Sequence, residues 1–222
     1  MKFFLSAALL FFTHLLWAQN FVESWETTFS ATGTVEIVKM IHDADDNVII
    51  LANQRQSGGP VYDGLVLKYS KSGVFQWSKS YGYDSETNDY GVDVDVDDNG
   101  NIYVLFSIDP ENAGNTNPNG FLLRKYSPSG TVVNSYESVG SLGYVPQKVA
   151  FYESQNRVYF TASKNQNPGK GLLLGLYRLS DGLVYEYAKN YESDEDDVAF
   201  AIDTGSTVTV QFQKGTSEIA AL

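Results

Sequence analysis

A block of turn and strand recurs along this chain about every 50 to 57 residues, a period too long for most solenoids and suited to a propeller blade. Its clearest part reads Asp45-Asp46-Asn47-Val48-Ile49-Ile50, then Asn99-Gly100-Asn101-Ile102-Tyr103-Val104. It returns as Gln155-Asn156-Arg157-Val158-Tyr159-Phe160 and as Gly205-Ser206-Thr207-Val208-Thr209-Val210. A second part keeps step with the first. Gly64-Leu65-Val66-Leu67-Lys68-Tyr69-Ser70-Lys71-Ser72-Gly73 is echoed by Gly120-Phe121-Leu122-Leu123-Arg124-Lys125-Tyr126-Ser127-Pro128-Ser129-Gly130, and more loosely by the run from Gly171 to Gly182. An apolar strand running into a Ser/Pro/Gly turn and out again is a hairpin signal. The outgoing strand repeats too, since Trp25 and Phe29 match Trp77 and Tyr81.

Each unit therefore reads as a strand before the Asp/Asn turn, one after it, a Gly/Leu-rich strand and a Trp/Tyr strand. Val92, Val94 and Val96 alternate with Asp93, Asp95 and Asp97. That alternation predicts a strand with one dry and one wet face. The run Ile102 to Phe106 is apolar on both faces, as expected of a strand in a sheet sandwiched between two others. Gly, Asn, Asp and Ser punctuate the chain too often for long helices. The expected fold is all-β: a β-propeller of four-stranded blades, about three full blades and a partial one, in an open or truncated ring. Two accounts of the missing closure compete. One is a fragment of a longer gene, because repeat arrays normally end in a closing unit. The other is self-association, in which two or more chains cover one another's exposed blade faces.

Residues 1–18 read as a secretory signal peptide, with Lys2 before an apolar run from Phe3 and Ala18-Gln19 as the cleavage site. Thr13 and His14 interrupt the run, which falls short of the roughly 20 residues of a spanning helix. Stable membrane insertion after cleavage is not expected, and residues 19–222 form the repeat domain. The expected location is secreted, periplasmic or cell surface. Losing Lys2 moves the formal charge from −12 to −13. So acidic a chain is repelled by nucleic acid and by anionic membrane surfaces. There is no Cys, so disulfides play no part.

The segments Tyr90-Gly91-Val92-Asp93-Val94-Asp95, Asn99 to Val104 and Leu122 to Gly130 resemble the bacterial extracellular propeller repeat of the SBBP type. So does Gly73-Val74-Phe75-Gln76-Trp77-Ser78-Lys79-Ser80-Tyr81-Gly82, with its Trp and its closing Tyr-Gly. The third copy departs, with Asn134 where Trp77 stood and Arg178 in place of the Tyr. The resemblance implies a secreted or surface propeller, usually part of a larger protein, with no activity common to the family.

Catalytic chemistry is sparse. After cleavage only His42 could serve a triad, and its place at a turn suits a solvated side chain. No phosphate-cradling glycine loop is present. Asp95, Asp97 and Asn99, in Asp95-Val96-Asp97-Asp98-Asn99-Gly100, match the first half of a calcium loop. The twelfth position, where a bidentate Glu belongs, is Phe106. The competing and preferred reading is a tight turn whose Asp side chains face water. Glu192-Ser193-Asp194-Glu195-Asp196-Asp197 and Asp84-Ser85-Glu86-Thr87-Asn88-Asp89 read as acidic loops between blades. The function expected is a noncatalytic binding or scaffold module for a protein or glycan ligand, with no cofactor beyond the calcium just weighed. The alternatives are a propeller module of a polysaccharide-acting enzyme using Asp/Glu pairs and a structural spacer in a longer surface protein.

Overall fold

The computed structural model describes residues 25–221 apart from segments 56–58, 60, 84–86, 110–119, 140–143, 166–169, 179–183, 192–196, 205–207 and 215–217. The expected signal peptide, Asp84 to Glu86 and Glu192 to Asp196 lie outside the described residues.

Fifteen strands form four antiparallel sheets. Sheet I holds β1 (Val35–His42), β2 (Val48–Arg55), β3 (Tyr62–Tyr69) and β4 (Phe75–Tyr81). Sheet II holds β5 (Asn88–Val96), β6 (Ile102–Asp109), β7 (Gly120–Tyr126) and β8 (Val132–Val139). Sheet III holds β9 (Tyr144–Tyr152), β10 (Arg157–Asn165), β11 (Lys170–Arg178) and β12 (Val184–Tyr191). Sheet IV holds β13 (Asp197–Thr204), β14 (Val208–Lys214) and β15 (Glu218–Ala221). Strand order follows chain order in every sheet, and each first strand carries a bulge against its second. The only helical feature among the described residues is one 3-10 turn, Glu153–Gln155. None of them forms a helix long and apolar enough to cross a membrane.

The sheets stack in sequence, the first strand of each packing on its neighbour: β1 on β5, β5 on β9, β9 on β13. Among the described residues the stack does not close on itself. Each sheet has an upstream face, turned to the sheet before it, and a downstream face. Ile49, Leu51, Val66 and Tyr81 on the downstream face of sheet I meet Val94, Ile102, Val104, Phe106, Leu122 and Tyr126 on the upstream face of sheet II. Tyr103, Leu105, Phe121 and Leu123 behind them meet Val149, Phe151, Val158, Phe160 and Ala162 of sheet III. Strand β6 is thus buried from both sides, and Ile102 to Phe106 are 0% exposed. That is the reason for its unbroken apolar run.

The predicted wet face of β5 is a correction. Asp93 is only 2% exposed, and Asp95 is partly buried. Their side chains enter the seam between sheets II and III, where the Asp95 carboxylate accepts the Phe151 N–H at 2.6 Å. An acidic alternation marks a buried strand here because the neighbouring first strand offers it amide donors.

The Ser-Gly hairpins are superimposable in their bonding. Gly73 N donates to Ser70 O and Gly130 N to Ser127 O, both at 2.9 Å, with φ of 78° and 80° at the glycines. Trp77 lies against Gly130, where a Cβ would stand 2.7 Å from the indole, and its Nε1 donates to Pro128 O at 3.0 Å. Trp25 lies against Gly73 in the same way, again 2.7 Å from a Cβ placed there. Trp77 packs between sheets I and II, and Trp25 takes the same position against sheet I.

Gly130→Ala should destabilise the protein in urea by about 1–3 kcal/mol, from the positive φ and the indole clash together. Trp77→Ala should cost about 2 kcal/mol. The double variant should cost less than the two singles added, because the clash is gone. Full additivity would show that the indole and the turn are not in contact.

Candidate functional site

Two places bear on function: the Asp/Asn turns and the upstream face of sheet I. In the turn after β5, Asp97 is buried and its Oδ1 accepts Asn99 N at 3.0 Å and Asn101 N at 2.8 Å. Its Oδ2 accepts Asn101 Nδ2 and the Tyr103 hydroxyl, each at 2.8 Å. The turn after β1 is its copy: Asp43 accepts Asp45 N and Asn47 N on Oδ1, and Asn47 Nδ2 on Oδ2. Lys68 takes the place of the tyrosine hydroxyl, its Nζ 2.8 Å from Asp43 Oδ2 with both side chains buried. Asp46 (φ 63°) and Gly100 (φ 75°) hold the left-handed position that completes each turn.

The turn reading therefore stands, but not with carboxylates facing water. Asp43 and Asp97 are 4% and 5% exposed and serve as the internal caps of their turns. Four donors surround the Asp97 carboxylate, the arrangement of a turn capped by its own side chain. Asp95 points elsewhere, to Phe151 N, and the side chain of Asn99 is exposed. Of the three residues of the calcium half-motif, Asp97 caps its own turn and Asp95 bonds the next sheet. Among the described residues no group of three or more His, Cys, Asp or Glu gathers as a metal centre. His42 is exposed, its Nδ1 3.2 Å from the Asp43 carbonyl.

The carboxyls differ in acidity for physical reasons. Burial pushes the Asp43 carboxyl up, but the hydrogen bonds from Lys68 and Asn47 outweigh it and hold the group below its ordinary value. Burial raises Asp95, assisted by the charge of Asp93 and only partly offset by the amides of Phe151 and Val96. Burial and the Asp97 carboxylate together push the Tyr103 hydroxyl far up, so that it remains a donor.

The upstream face of sheet I is the larger feature. Val35, Val48, Ile50, Ala52, Leu65, Leu67 and Tyr69 form an apolar layer. Five of them (Val35, Ile50, Ala52, Leu67 and Tyr69) line, with Ile37 and Met40, a groove of about 470 Å³ walled on one side by Trp25, Thr27 and Phe29. Strand register gives these positions counterparts in sheet II. Met40 pairs with Ile50 as Val94 pairs with Val104, and Ile37 pairs with Ala52 as Gly91 pairs with Phe106. Val94 is 0% exposed, covered by sheet I, whereas Met40 is 63% and Ile37 69% exposed. At β1 the face of sheet I is open, whereas Ala52, Leu65, Leu67 and Tyr69 behind it are buried.

The sequence analysis expects exposed blade faces at the ends of the array without locating this one, although β1 carries a signal. Val35-Glu36-Ile37-Val38-Lys39-Met40-Ile41 is apolar at nearly every position, as a strand covered on both sides would be. The predicted acidic loops contribute nothing to the groove among the described residues. Compared with known proteins, the chain matches no family model and no curated sequence.

The two carboxyls should give opposite pH signatures. Asp43, lowered by folding, supplies stability that is full above the usual carboxylate range and is lost as pH falls through its lowered value. Asp43→Asn should therefore lower the melting temperature most at neutral pH, with the gap to wild type closing in acid. Asp95, raised by folding, costs stability when ionised, so Asp95→Asn should melt no lower than wild type at pH 7 and lose any advantage as the pH falls. Asp97→Ala, which strips buried donors of their acceptor, should cost about 2–4 kcal/mol at neutral pH. Melting curves of the three variants across pH 3–8 check the signs; parallel shifts at every pH would contradict them.

Proposed function

We propose that this chain is the repeat domain of an exported, noncatalytic β-propeller of the SBBP type, acting as a scaffold that binds protein through the faces of its blades. The observation that supports the reading is the apolar groove on the upstream face of sheet I, where Ile37 and Met40 remain exposed. Burying apolar surface is worth about 25 cal/mol per Å², and a groove edged by large exposed apolar side chains marks an interaction surface. Ile37 and Met40 are large apolar side chains at positions where sheet II has Gly91 and a fully covered Val94. Apolar side chains left exposed beside a groove favour a partner that covers them.

The stacked sheets support the propeller as their arrangement. Each is an antiparallel meander, and each meets the next through its first strand, which is how radial sheets share an axis. The acidic charge suits a soluble exported surface. The wall of Trp25, Phe29 and Tyr69 supports a second reading, a glycan ligand stacked on aromatic rings.

Expression of the full-length gene product with fractionation should place the protein outside the cytoplasm, with Gln19 as the first residue of the mature form. The mature protein should turn over no member of a polysaccharide panel. Cytoplasmic retention with residues 1–18 intact would overturn export. Hydrolysis that disappears when Asp194, Glu195, Asp196 and Asp197 are replaced would favour the enzyme instead. Binding on a glycan array that Phe29→Ala abolishes would favour the sugar ligand.

A further inference from the structure

The groove on sheet I is bounded by an extended segment with no strand beside it among the described residues. Trp25, Thr27 and Phe29 line the groove and Glu26 and Thr28 do not, so alternate side chains of one extended run turn toward sheet I. None of residues 25–29 makes a backbone hydrogen bond to another described residue. An extended run of such amides and carbonyls is a template for a further strand.

The segment stands to sheet I as β4 stands to sheet II. Trp77 packs on the Gly130 turn and lies 6.3 Å, ring to ring, from Tyr126; Tyr81 lies 4.9 Å from Phe106. Trp25 packs on the equivalent Gly73 turn and borders the groove with Tyr69, the counterpart of Tyr126. Phe29 borders it with Ala52, the counterpart of Phe106. The strand paired with β4 is β3, where Gly64 faces Tyr81, Val66 faces Lys79 and Lys68 faces Trp77. By the same register, five residues added beside residues 25–29 set their first, third and fifth opposite Phe29, Thr27 and Trp25.

That register fixes the chemistry of the added strand. Opposed residues of an antiparallel pair share a face, so the first, third and fifth side chains lie over sheet I. Ile50, Ala52, Leu67 and Tyr69 form the floor there, with Ile37 and Met40 at the open margin, and no charged side chain lines the groove. These three positions therefore call for apolar residues. The first has room for a large one: β3 carries Gly64 because the Phe106 ring would lie 2.5 Å from a Cβ there, and sheet I has Ala52 in place of Phe106. The second and fourth side chains point away from sheet I. Glu26 and Glu36 are exposed beside the groove, in a chain of formal charge −12, which suits basic residues at the outward positions and flanks.

We infer that the groove takes an extended peptide segment of a partner protein, alternating apolar and basic residues, which adds as a strand beside residues 25–29 and lays its apolar side chains on sheet I. The inference rests on the scaffold reading above and names the kind of partner. Backbone pairing with residues 25–29 supplies affinity, and the alternation of side chains over the floor supplies specificity. Burial of Ile37 and Met40, 69% and 63% exposed in the chain alone, adds to both.

The probe is a dye-labelled peptide, Lys-Leu-Lys-Val-Thr-Leu-Lys, titrated into the whole protein purified after export and read by fluorescence anisotropy. It should bind saturably. A peptide of the same composition with its apolar residues in one block, Lys-Leu-Val-Leu-Thr-Lys-Lys, should bind about tenfold or more weakly, and so should one with Gly in place of the first Leu. Adjacent residues of a strand present their amides to opposite edges. N-methylation at Val or at the following Thr should therefore abolish binding in one peptide and spare it in the other. Met40→Lys should weaken binding of the first peptide about tenfold or more while leaving the β signature of the circular dichroism unchanged, since Met40 is 63% exposed.

Equal binding of the alternating and block peptides would mark a groove that takes any apolar group, and would overturn the assignment. No binding by the whole protein would show the groove already filled by its own chain or by a second copy, and would overturn it too. So would N-methylation that abolishes binding at both positions or at neither. These outcomes read the groove alone. Export and the absence of turnover, tested separately, decide the scaffold reading whichever way the peptides fall.

Discussion

Everything in this fold depends on side chains from one sheet closing the open edge of the next. Each first strand has a ladder partner on one side only, and its other edge carries amide donors that must be satisfied. Asp93 shows how it is done. One carboxylate oxygen takes the Lys39 ammonium of sheet I at 2.7 Å, and the other takes the Val149 N–H of sheet III at 3.0 Å. A single side chain of sheet II thereby ties three consecutive sheets. Asp95 adds Phe151 N, and Asn53 accepts the Gly91 N–H at 2.7 Å between sheets I and II. Apolar layers between the sheets supply most of the burial, but they are tolerant of sliding. The edge bonds are directional and fix how far one sheet is offset from the next.

Much of this was legible because repetition makes turns and strands visible. The Asp/Asn turn and the Ser-Gly hairpin recur with the same hydrogen bonds, and the sequence pattern carried both. The two-sided burial of β6 was readable from Ile102 to Phe106. The acidic face of β5 was not. Alternating Val and Asp is the pattern of a half-exposed strand, and only the arrival of β9 along its edge turns Asp93 and Asp95 into buried acceptors. The burial of Lys68 was equally hidden, since its partner Asp43 lies in the turn after β1 and the ion pair exists only once the sheet is formed. The calcium half-motif and the turn cap share Asp97 and Asn99, and sequence cannot tell an Asp that binds amides from one that binds a cation.

Repetition also explains the open face. A repeat cannot bury its own layer and relies on its neighbour for it. Sheet I has no described sheet before it, yet it keeps the apolar layer that sheet II uses against sheet I. Two features differ from a plain copy: Ile37 in place of the glycine, and Ala52 in place of Phe106. Both change the shape of the layer without making it polar, so the face retains the character of an interface. The segment carrying Trp25 lies across its margin as an outer strand would.

The central claim, that carboxylates and amides on one sheet cap the free edge of the next, is tested most directly by amide hydrogen exchange. Gly91, Val149 and Phe151 should exchange as slowly as the doubly covered amides of β6, and replacing Asp93 with Ala should release Val149 selectively. Rapid exchange at all three positions, of the kind seen at a solvent-facing strand edge, would contradict it.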